Sequence, residues 1–160
     1  MTLLAIRKEP NAILHKKARR VRVSEKIEKN LVDNMEATMR ARGGIGLAGP
    51  QVGLDKSIAV VDTADGVLVL VNPEIISKKG ATSFEEGCLS VPGQTVKVKR
   101  FEEVTVSYSN ENKEQKTRVF KGLTAIIAQH EIDHLNGTLI TDHRPWYKKI
   151  LKKPKPSKKI

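Results

Sequence analysis

A regular spacing of apolar side chains lies in the N-terminal third of the chain. Four of them recur at every fourth position, namely Ile27, Leu31, Met35 and Met39. Residues four apart lie on one face of an α-helix, so this spacing predicts an amphipathic helix. Ser24 is a suitable N-terminal cap, and Gly43 and Gly44 after Arg42 are a suitable stop. The pattern therefore predicts a helix from Ser24 to about Arg40.

The middle of the chain has a different pattern, rich in β-branched residues. Two such runs, residues 57–63 and 67–71, are separated by Ala64-Asp65-Gly66, a sequence typical of a hairpin turn. Similar runs predict strands at residues 94–99, 104–108 and 116–120, with a turn at Asn110-Glu111-Asn112. These segments predict several short antiparallel strands.

A second helix is predicted from about Lys121 to Leu135, where Asn136-Gly137 ends it. Its first half is apolar on nearly every side, and a polar block begins abruptly at Gln129. A helix of this kind commonly delivers functional groups into a cleft. The elements together predict an α+β fold: small antiparallel sheets packed around a central C-terminal helix, with an N-terminal helix.

The polar block contains His130-Glu131-Ile132-Asp133-His134. On a helix, His130 and His134 lie one turn apart on the same face, and both imidazoles can reach one metal ion. Glu131 then lies beside the ion and can take a proton from a bound water. The pattern also occurs by chance in amphipathic helices, so an additional metal ligand is needed to support the interpretation.

The third ligand can be sought by elimination. No glutamate follows Glu131, so the downstream candidates are Asp142 and His143. Upstream stands Cys88, the only cysteine, in the loop-like sequence Glu86-Gly87-Cys88-Leu89-Ser90. A thiolate and two imidazoles suit a soft to borderline divalent ion and leave one position open for water. The elimination favours Cys88.

The segment from Gly44 to Gly53 is unusually rich in glycine. It is not a phosphate loop, because no Lys-Ser or Lys-Thr follows the glycines. Glycines permit close backbone approach, so an extended peptide could pair along the segment, with Gln51 as an amide donor near the cleft. A tight loop with a solvated Gln51 explains the segment equally well.

Charge and length bear on partners and organisation. We predict a single catalytic domain over residues 1–147 and a lysine-rich C-terminal tail over residues 148–160. The tail holds seven lysines and no acid, which leaves +4 of the total charge of +11 to the rest of the chain. It is either a solvated terminus or an arm that contacts a polyanion such as RNA or the ribosome.

Several features of the sequence bear on the cellular compartment of the protein. No segment approaches the roughly 20 apolar residues of a membrane-spanning helix, and the N-terminal apolar block is too short for a signal peptide. A single cysteine cannot form an internal disulfide, which fits a reducing cytosol. We therefore expect a cytoplasmic protein without a membrane partner, and we expect it to be a monomer.

The three unusual segments together resemble the signatures of the peptide deformylase family. With φ for an apolar residue, these are Gly-φ-Gly-φ-Ala-Ala-x-Gln, Glu-Gly-Cys-Leu-Ser and Gln-His-Glu-x-Asp-His-Leu. They stand here, in this order, at residues 44–51, 86–90 and 129–135. Only Gly49 departs, where the family prefers alanine, and this change predicts a slightly looser loop. The resemblance extends to about residue 147.

The resemblance implies a hydrolase that removes the formyl group from N-terminal formyl-methionine of nascent polypeptides and releases formate. It implies one divalent metal ion, typically Fe2+, which Zn2+, Ni2+ or Co2+ can replace. The implied metal ligands are Cys88, His130 and His134, with Glu131 as general base and acid.

Further roles follow from the same resemblance. The Gln51 side chain and the Leu89 backbone N–H are similar to the oxyanion donors. Glu86 is expected to pair with Arg100 and brace the Cys88 loop. The substrate backbone is expected to contact Ile45, Gly46 and Gly87, and its methionine side chain to contact Phe84, Leu123, Ile126 and Ile127.

Two other functions compete when the residues are read alone. A zinc endopeptidase could use His130, His134 and either Asp142 or His143, but it leaves the Cys88 segment unexplained. A basic RNA-binding module could carry a structural metal. Structural zinc sites are usually closed by four ligands, however, and only three convincing ligands exist here.

Overall fold

The computed structural model describes residues 1–150, and residues 151–160 of the predicted tail lie outside the described part. The predicted boundary after residue 147 falls within the last described helix. The helices are α1 (Lys29–Ala41), α2 (Leu123–Leu135) and α3 (Trp146–Ile150), with short 3-10 helices at Ala12–His15, Gly49–Val52 and Ile140–His143. The strands are β1 (Gly46–Ala48), β2 (Ile58–Thr63), β3 (Gly66–Lys79), β4 (Thr82–Cys88), β5 (Val91–Arg100), β6 (Glu103–Ser109) and β7 (Gln115–Lys121).

Five strands form one antiparallel sheet in the order β1-β2-β3-β6-β7. The β2–β3 hairpin closes with Thr63 opposite Gly66, so the predicted turn is confirmed. Strand β3 continues well past Val71, where the predicted strand ended. It passes through Pro73, and its pairing with β6 shifts register between Val71 and Glu74. Proline lacks the N–H that a regular ladder needs, so the sequence pattern of a strand ends before Pro73 although the strand itself continues.

The remaining two strands, β4 and β5, form a separate antiparallel hairpin. Strand β5 contains the predicted segment 94–99, whereas β4 was not predicted. Its sequence, Thr-Ser-Phe-Glu-Glu-Gly-Cys, shows little apolar alternation, and pairing with β5 stabilises it. A register shift between Gly87 and Cys88 ends the regular pairing and places the thiol at the end of the strand.

Helix α2 occupies the centre of the molecule, as predicted. Its apolar side chains pack against the five-stranded sheet in one core cluster, which includes Val61, Leu70, Val104, Val106, Phe120, Ala125, Ile127, Ala128 and Ile132. The polar block of the helix is also buried: Gln129, Glu131 and His134 are at most 5% exposed. Because burying polar groups is costly, each of them needs a partner or a ligand.

The predicted start of the first helix is wrong. Helix α1 begins at Lys29, and Ser24 lies in a turn closed by a hydrogen bond from Glu25 N–H to the Arg22 carbonyl. The Glu25 carboxylate binds Arg19 at 2.9 Å and Lys56 at 2.7 Å, and these contacts hold the chain away from helical geometry. The apolar stripe is confirmed for Leu31, Met35 and Met39, which pack into one core cluster, whereas Ile27 precedes the helix.

No helix within residues 1–150 is long and apolar enough to span a membrane.

Candidate metal centre

Two histidines of α2 and the cysteine at the end of β4 converge on one point. The Nε2 atoms of His130 and His134 lie 3.1 Å apart, and Cys88 Sγ lies 3.2 Å from His134 Nε2. All three potential ligand atoms lie within 4.8 Å of one another. The helical turn brings the imidazoles together, as the spacing predicts, and the β4–β5 hairpin brings the thiol to them.

The orientation of His130 is set by a buried ion pair behind it. Its Nδ1–H donates to Glu86 Oε2 at 2.8 Å, which leaves Nε2 directed at the cluster. Arg100 donates to both Glu86 oxygens, at 2.7 and 2.8 Å, so the predicted Glu86–Arg100 pair is present. Burial opposes the charge on Glu86, but the hydrogen bonds from Arg100 and His130 outweigh it and lower the pKa of this carboxyl to about 2.

The surroundings shift the pKa values of the two imidazoles in opposite directions. Burial lowers the pKa of His130, yet its interactions with Cys88 and Glu86 outweigh burial and raise this pKa to about 10. Burial, together with the neighbouring His130, holds the pKa of His134 well below its usual value. His134 is therefore neutral at physiological pH, which is the form of histidine that binds metals, whereas His130 must release a proton when a cation binds.

Glu131 lies directly beside the cluster. Its side chain packs against Gly46 of β1, where a Cβ atom would overlap the carboxylate, so only glycine leaves room for it. Within the described residues, Glu131 Oε2 is buried and has no hydrogen-bond partner. Burial is the main cause that raises the pKa of Glu131 to about 7. A carboxyl in this state can both accept and release a proton near neutral pH.

Gln51 is buried at 2% exposure, so the interpretation of a solvated side chain is wrong. Its Oε1 accepts from the Ala48 N–H at 2.9 Å, and its Nε2 donates to Ser90 Oγ at 3.3 Å and approaches Cys88 Sγ at 3.6 Å. These contacts fix the direction of the amide. The side chain is held on the 3-10 helix Gly49–Val52, immediately after β1.

Gly49 does not loosen this segment, contrary to our expectation. A Cβ at this position would lie 2.6 Å from the Lys56 carbonyl oxygen. The backbone is packed too closely there for the alanine that the signature prefers. In this chain the glycine permits close packing of the turn that carries Gln51.

A cavity of about 380 Å³ opens beside the cluster. All the residues predicted to contact substrate line it, together with Cys88, His130, Glu131, Gln51 and Leu89; they are Ile45, Gly46, Phe84, Gly87, Leu123, Ile126 and Ile127. These residues lie around one cavity, as the resemblance implies. The contact of each residue with substrate stays a prediction. Ile126 and Ile127 are buried, while Phe84 and Leu123 are 42% and 50% exposed at the cavity rim.

The alternative third ligands do not join the cluster. Asp142 Oδ2 accepts from the Leu139 N–H at 2.8 Å, and His143 Nε2 lies 2.8 Å from Asp133 Oδ2. Our sequence reasoning assigned no role to Asp133, which also accepts from Arg100 Nη1 at 2.6 Å. The available signal was its place as a named residue of the Gln-His-Glu-x-Asp-His-Leu signature. Ser90, fully buried beside Gln51, was likewise assigned no role.

The donor set fits one divalent cation. One sulfur and two imidazole nitrogens are directed at a common point, and this combination suits soft to borderline metal ions. Two buried polar atoms nearby, Glu131 Oε2 and His134 Nδ1, have no partner within the described residues. An α+β chain with such a cluster beside a buried glutamate belongs to the class of metal-dependent hydrolases.

Comparison with known proteins defines the family. The family model described as polypeptide deformylase matches residues 3–149. A peptide deformylase from Halothermothrix orenii is 50% identical over 145 residues, which cover 89% of this chain and 94% of that protein. Another, from Thermodesulfovibrio yellowstonii, is 41% identical and covers 99% of this chain and 100% of its own length. The chain therefore belongs to the polypeptide deformylase family.

Solved structures agree with this assignment. A peptide deformylase from Legionella pneumophila superposes with a TM-score of 0.87 at 37% identity, over 94% of this chain and 90% of that one. The Met-Ala-Ser-bound enzyme from Acinetobacter baumannii has a TM-score of 0.83 at 36% identity, over 89% of this chain and 99% of that one. The chain is a hydrolase that removes the formyl group from N-terminal formyl-methionine, which is the reaction of this family.

Proposed function

We propose that Cys88, His130 and His134 hold one divalent cation, Fe2+ in the cell, for the removal of formyl groups from nascent polypeptides. The convergence of these three ligand atoms within 4.8 Å is the observation that carries the proposal. The donor types suit ferrous iron and also Zn2+, Ni2+ and Co2+, any of which can replace it. When bound, the cation lowers the pKa of a water molecule and polarises the formyl carbonyl.

Glu131 is the proton-transfer group in this proposal. Its buried carboxylate takes a proton from the attacking water and then delivers it to the nitrogen of the departing amine. The unpartnered Oε2 and the raised pKa support this role, because a base that must also serve as an acid works best near the operating pH. Its packing against Gly46 holds the carboxylate at the edge of the cavity.

Gln51 and the Leu89 backbone N–H stabilise the negative charge that develops on the formyl oxygen. The Gln51 amide is oriented before substrate arrives, since Ala48 holds its oxygen and Ser90 accepts from its nitrogen. A donor oriented in advance needs no reorganisation during the reaction. Leu89 follows Cys88 directly and lines the same cavity.

The substrate backbone lies between two strand edges in this proposal. Strand β1 is the edge of the five-stranded sheet, and β4 belongs to the two-stranded sheet on the other side of the cavity. Edge strands can pair with an extended peptide, which brings its backbone to Ile45, Gly46 and Gly87. No heavy atom lies within 4 Å of the position of a Cβ at Gly87, so a peptide has room there.

The methionine side chain occupies the apolar part of the cavity, against Phe84, Leu123, Ile126 and Ile127. Apolar walls with a few convergent polar groups are typical of sites for small ligands, and the volume is within the usual range. The related Acinetobacter baumannii enzyme with bound Met-Ala-Ser supports a tripeptide with N-terminal methionine as a ligand of such a cavity.

We further propose a cytoplasmic monomer whose domain spans residues 1–147 and whose lysine-rich tail, residues 148–160, contacts ribosomal RNA. Lysine density supports the RNA contact, because seven lysines without acidic neighbours attract a polyanion.

Anaerobic purification tests the central proposal. We expect about one iron per chain, and we expect release of formate from formyl-Met-Ala-Ser to stop on chelation. Activity should return when Fe2+, Ni2+ or Co2+ is added back. Full turnover by the metal-free chain would contradict the proposal.

A further inference from the structure

A continuous series of hydrogen bonds connects the surface to the metal centre. His143 Nε2 donates to Asp133 Oδ2 at 2.8 Å, and Arg100 Nη1 donates to the same oxygen at 2.6 Å. Arg100 then binds Glu86, which accepts from His130 Nδ1. The side chain of His143, at the outer end of this series, is 28% exposed, whereas the side chains of Arg100 and Glu86 are each 4% exposed.

The position of His143 is fixed independently of this series. It lies on the 3-10 helix Ile140–His143, which is anchored by Ile140 at 2% exposure. Asp142, the preceding residue, accepts from the Leu139 N–H and closes the same turn. His143 therefore lies on a turn that is closed by a hydrogen bond and anchored in the core, and it presents its imidazole to Asp133, which lies between the two proposed metal ligands of α2.

We propose that His143 is a positioning residue for the metal centre, acting through Asp133, Arg100 and Glu86 on the orientation of His130. This inference rests on the proposed ligand set. Asp133 Oδ2 has two donors, and each restrains its side chain. Without His143, Asp133 can rotate toward solvent, and Arg100 loses a fixed acceptor at one end of its guanidinium group. Outer partners of metal-ligating histidines govern metal retention in this way.

The test is metal release from the cobalt-loaded full-length chain to excess chelator, followed by the absorption of the cobalt–thiolate bond. For His143→Ala we expect roughly 3- to 10-fold faster release, below the about 10- to 100-fold effect of losing a direct partner of a ligating histidine. His143→Gln keeps a side-chain N–H donor and should return the rate to within about 2-fold of the original. The cobalt spectrum of His143→Ala should also shift, because the angle of the His130 ring changes.

Arg144→Ala is the matched control. Arg144 follows His143, and its one side-chain hydrogen bond within the described residues goes to Gln94, outside the series. Its removal should leave release unchanged. The inference is wrong if His143→Ala releases cobalt at the original rate, if His143→Gln releases it as fast as His143→Ala, or if Arg144→Ala has the same effect. Failure of the unaltered chain to bind cobalt would instead overturn the proposed ligand set, and the inference with it.

Discussion

Glu86 and Arg100 form an ion pair with two hydrogen bonds of 2.7 and 2.8 Å, and each side chain is only 4% exposed. The pair stands directly behind His130, whose Nδ1 donates to Glu86. Removing one partner of a buried pair leaves the other charge without compensation. The pair therefore couples the stability of the fold to the geometry of the candidate metal centre.

Arg100→Met should lower the free energy of unfolding by about 3–5 kcal/mol, because Glu86 would stay buried and charged with only the His130 hydrogen bond, and Asp133 would lose its guanidinium partner as well. Urea denaturation measures the change. Arg118→Met is the matched control, since the Arg118–Asp65 pair has side chains 34% and 76% exposed and should contribute at most about 1 kcal/mol. Equal losses of unfolding free energy in the two variants would show that burial does not increase the contribution of the Glu86–Arg100 pair.

The turn before α1 should make the fold sensitive to acid. Hydrogen bonds from Arg19 and Lys56 hold the pKa of Glu25 well below its usual range. A carboxyl with a depressed pKa in the folded state stabilises the fold above its ordinary pKa, and this contribution is lost as the pH falls below that value. Glu25→Gln should therefore reduce the fall in unfolding free energy between about pH 5 and pH 2.

The measurement is chemical denaturation at several pH values. Glu28→Gln provides the control, because Glu28 lies 3.4 Å from Lys26 and is 60% exposed. Its loss should leave the pH dependence nearly unchanged. If the unfolding free energy of Glu25→Gln falls with acid as steeply as that of the original chain, this turn does not cause the acid sensitivity.

Glu131→Gln should retain the metal and lose about 100- to 10,000-fold in turnover, the range that general acid–base catalysis contributes. The amide preserves the size of the side chain against Gly46, so the fold and ligand cluster should be unaffected. Formate release and metal content are measured on the same sample. Substantial residual turnover with full metal occupancy would remove Glu131 from proton transfer.

Cys88 is the only cysteine of the chain, so a thiol reagent reports on this sulfur alone. Metal-loaded protein should react slowly, and chelation should accelerate the reaction because it exposes the sulfur. Cys88→Ser should bind less metal under the same loading conditions. Unchanged metal content in that variant, together with equal thiol reactivity before and after chelation, would place Cys88 outside the ligand set.

Much of the fold could be predicted from local pattern. The β2–β3 hairpin, the strands after Gly93 and helix α2 depend on periodicity and turn residues within a few positions of each other. The start of α1 could not be predicted, because it is decided by Glu25 binding Lys56, thirty-one residues away. Strand β4 has no sequence pattern of its own and exists because β5 pairs with it.

The candidate site was more predictable than the fold around it. Helical spacing alone brings His130 and His134 together, and elimination favours Cys88 as their partner. Periodicity does not indicate which side chains orient the ligands. The contact between His143 and Asp133 requires the turn after α2 to fold back on the helix, and nothing in the spacing of the two residues predicts it.

Gly46 and Gly87 line the same cavity but should respond differently to alanine. A Cβ at Gly46 would overlap the Glu131 carboxylate, whereas no heavy atom lies within 4 Å of a Cβ at Gly87. Gly46→Ala should therefore displace Glu131 and lower kcat by on the order of 100-fold, since a misplacement of about 1 Å can cost that much. It should also lower the free energy of unfolding.

Gly87→Ala should leave stability unchanged and raise KM, because its methyl group enters space that the peptide backbone is proposed to occupy. The two variants thus distinguish the effect of displacing Glu131, which lowers kcat, from the effect of narrowing the space for the peptide backbone, which raises KM. Steady-state kinetics with formyl-Met-Ala-Ser, run beside urea denaturation, measures both effects. If Gly87→Ala lowers kcat without changing KM, the peptide does not pass along β4 in the proposed manner.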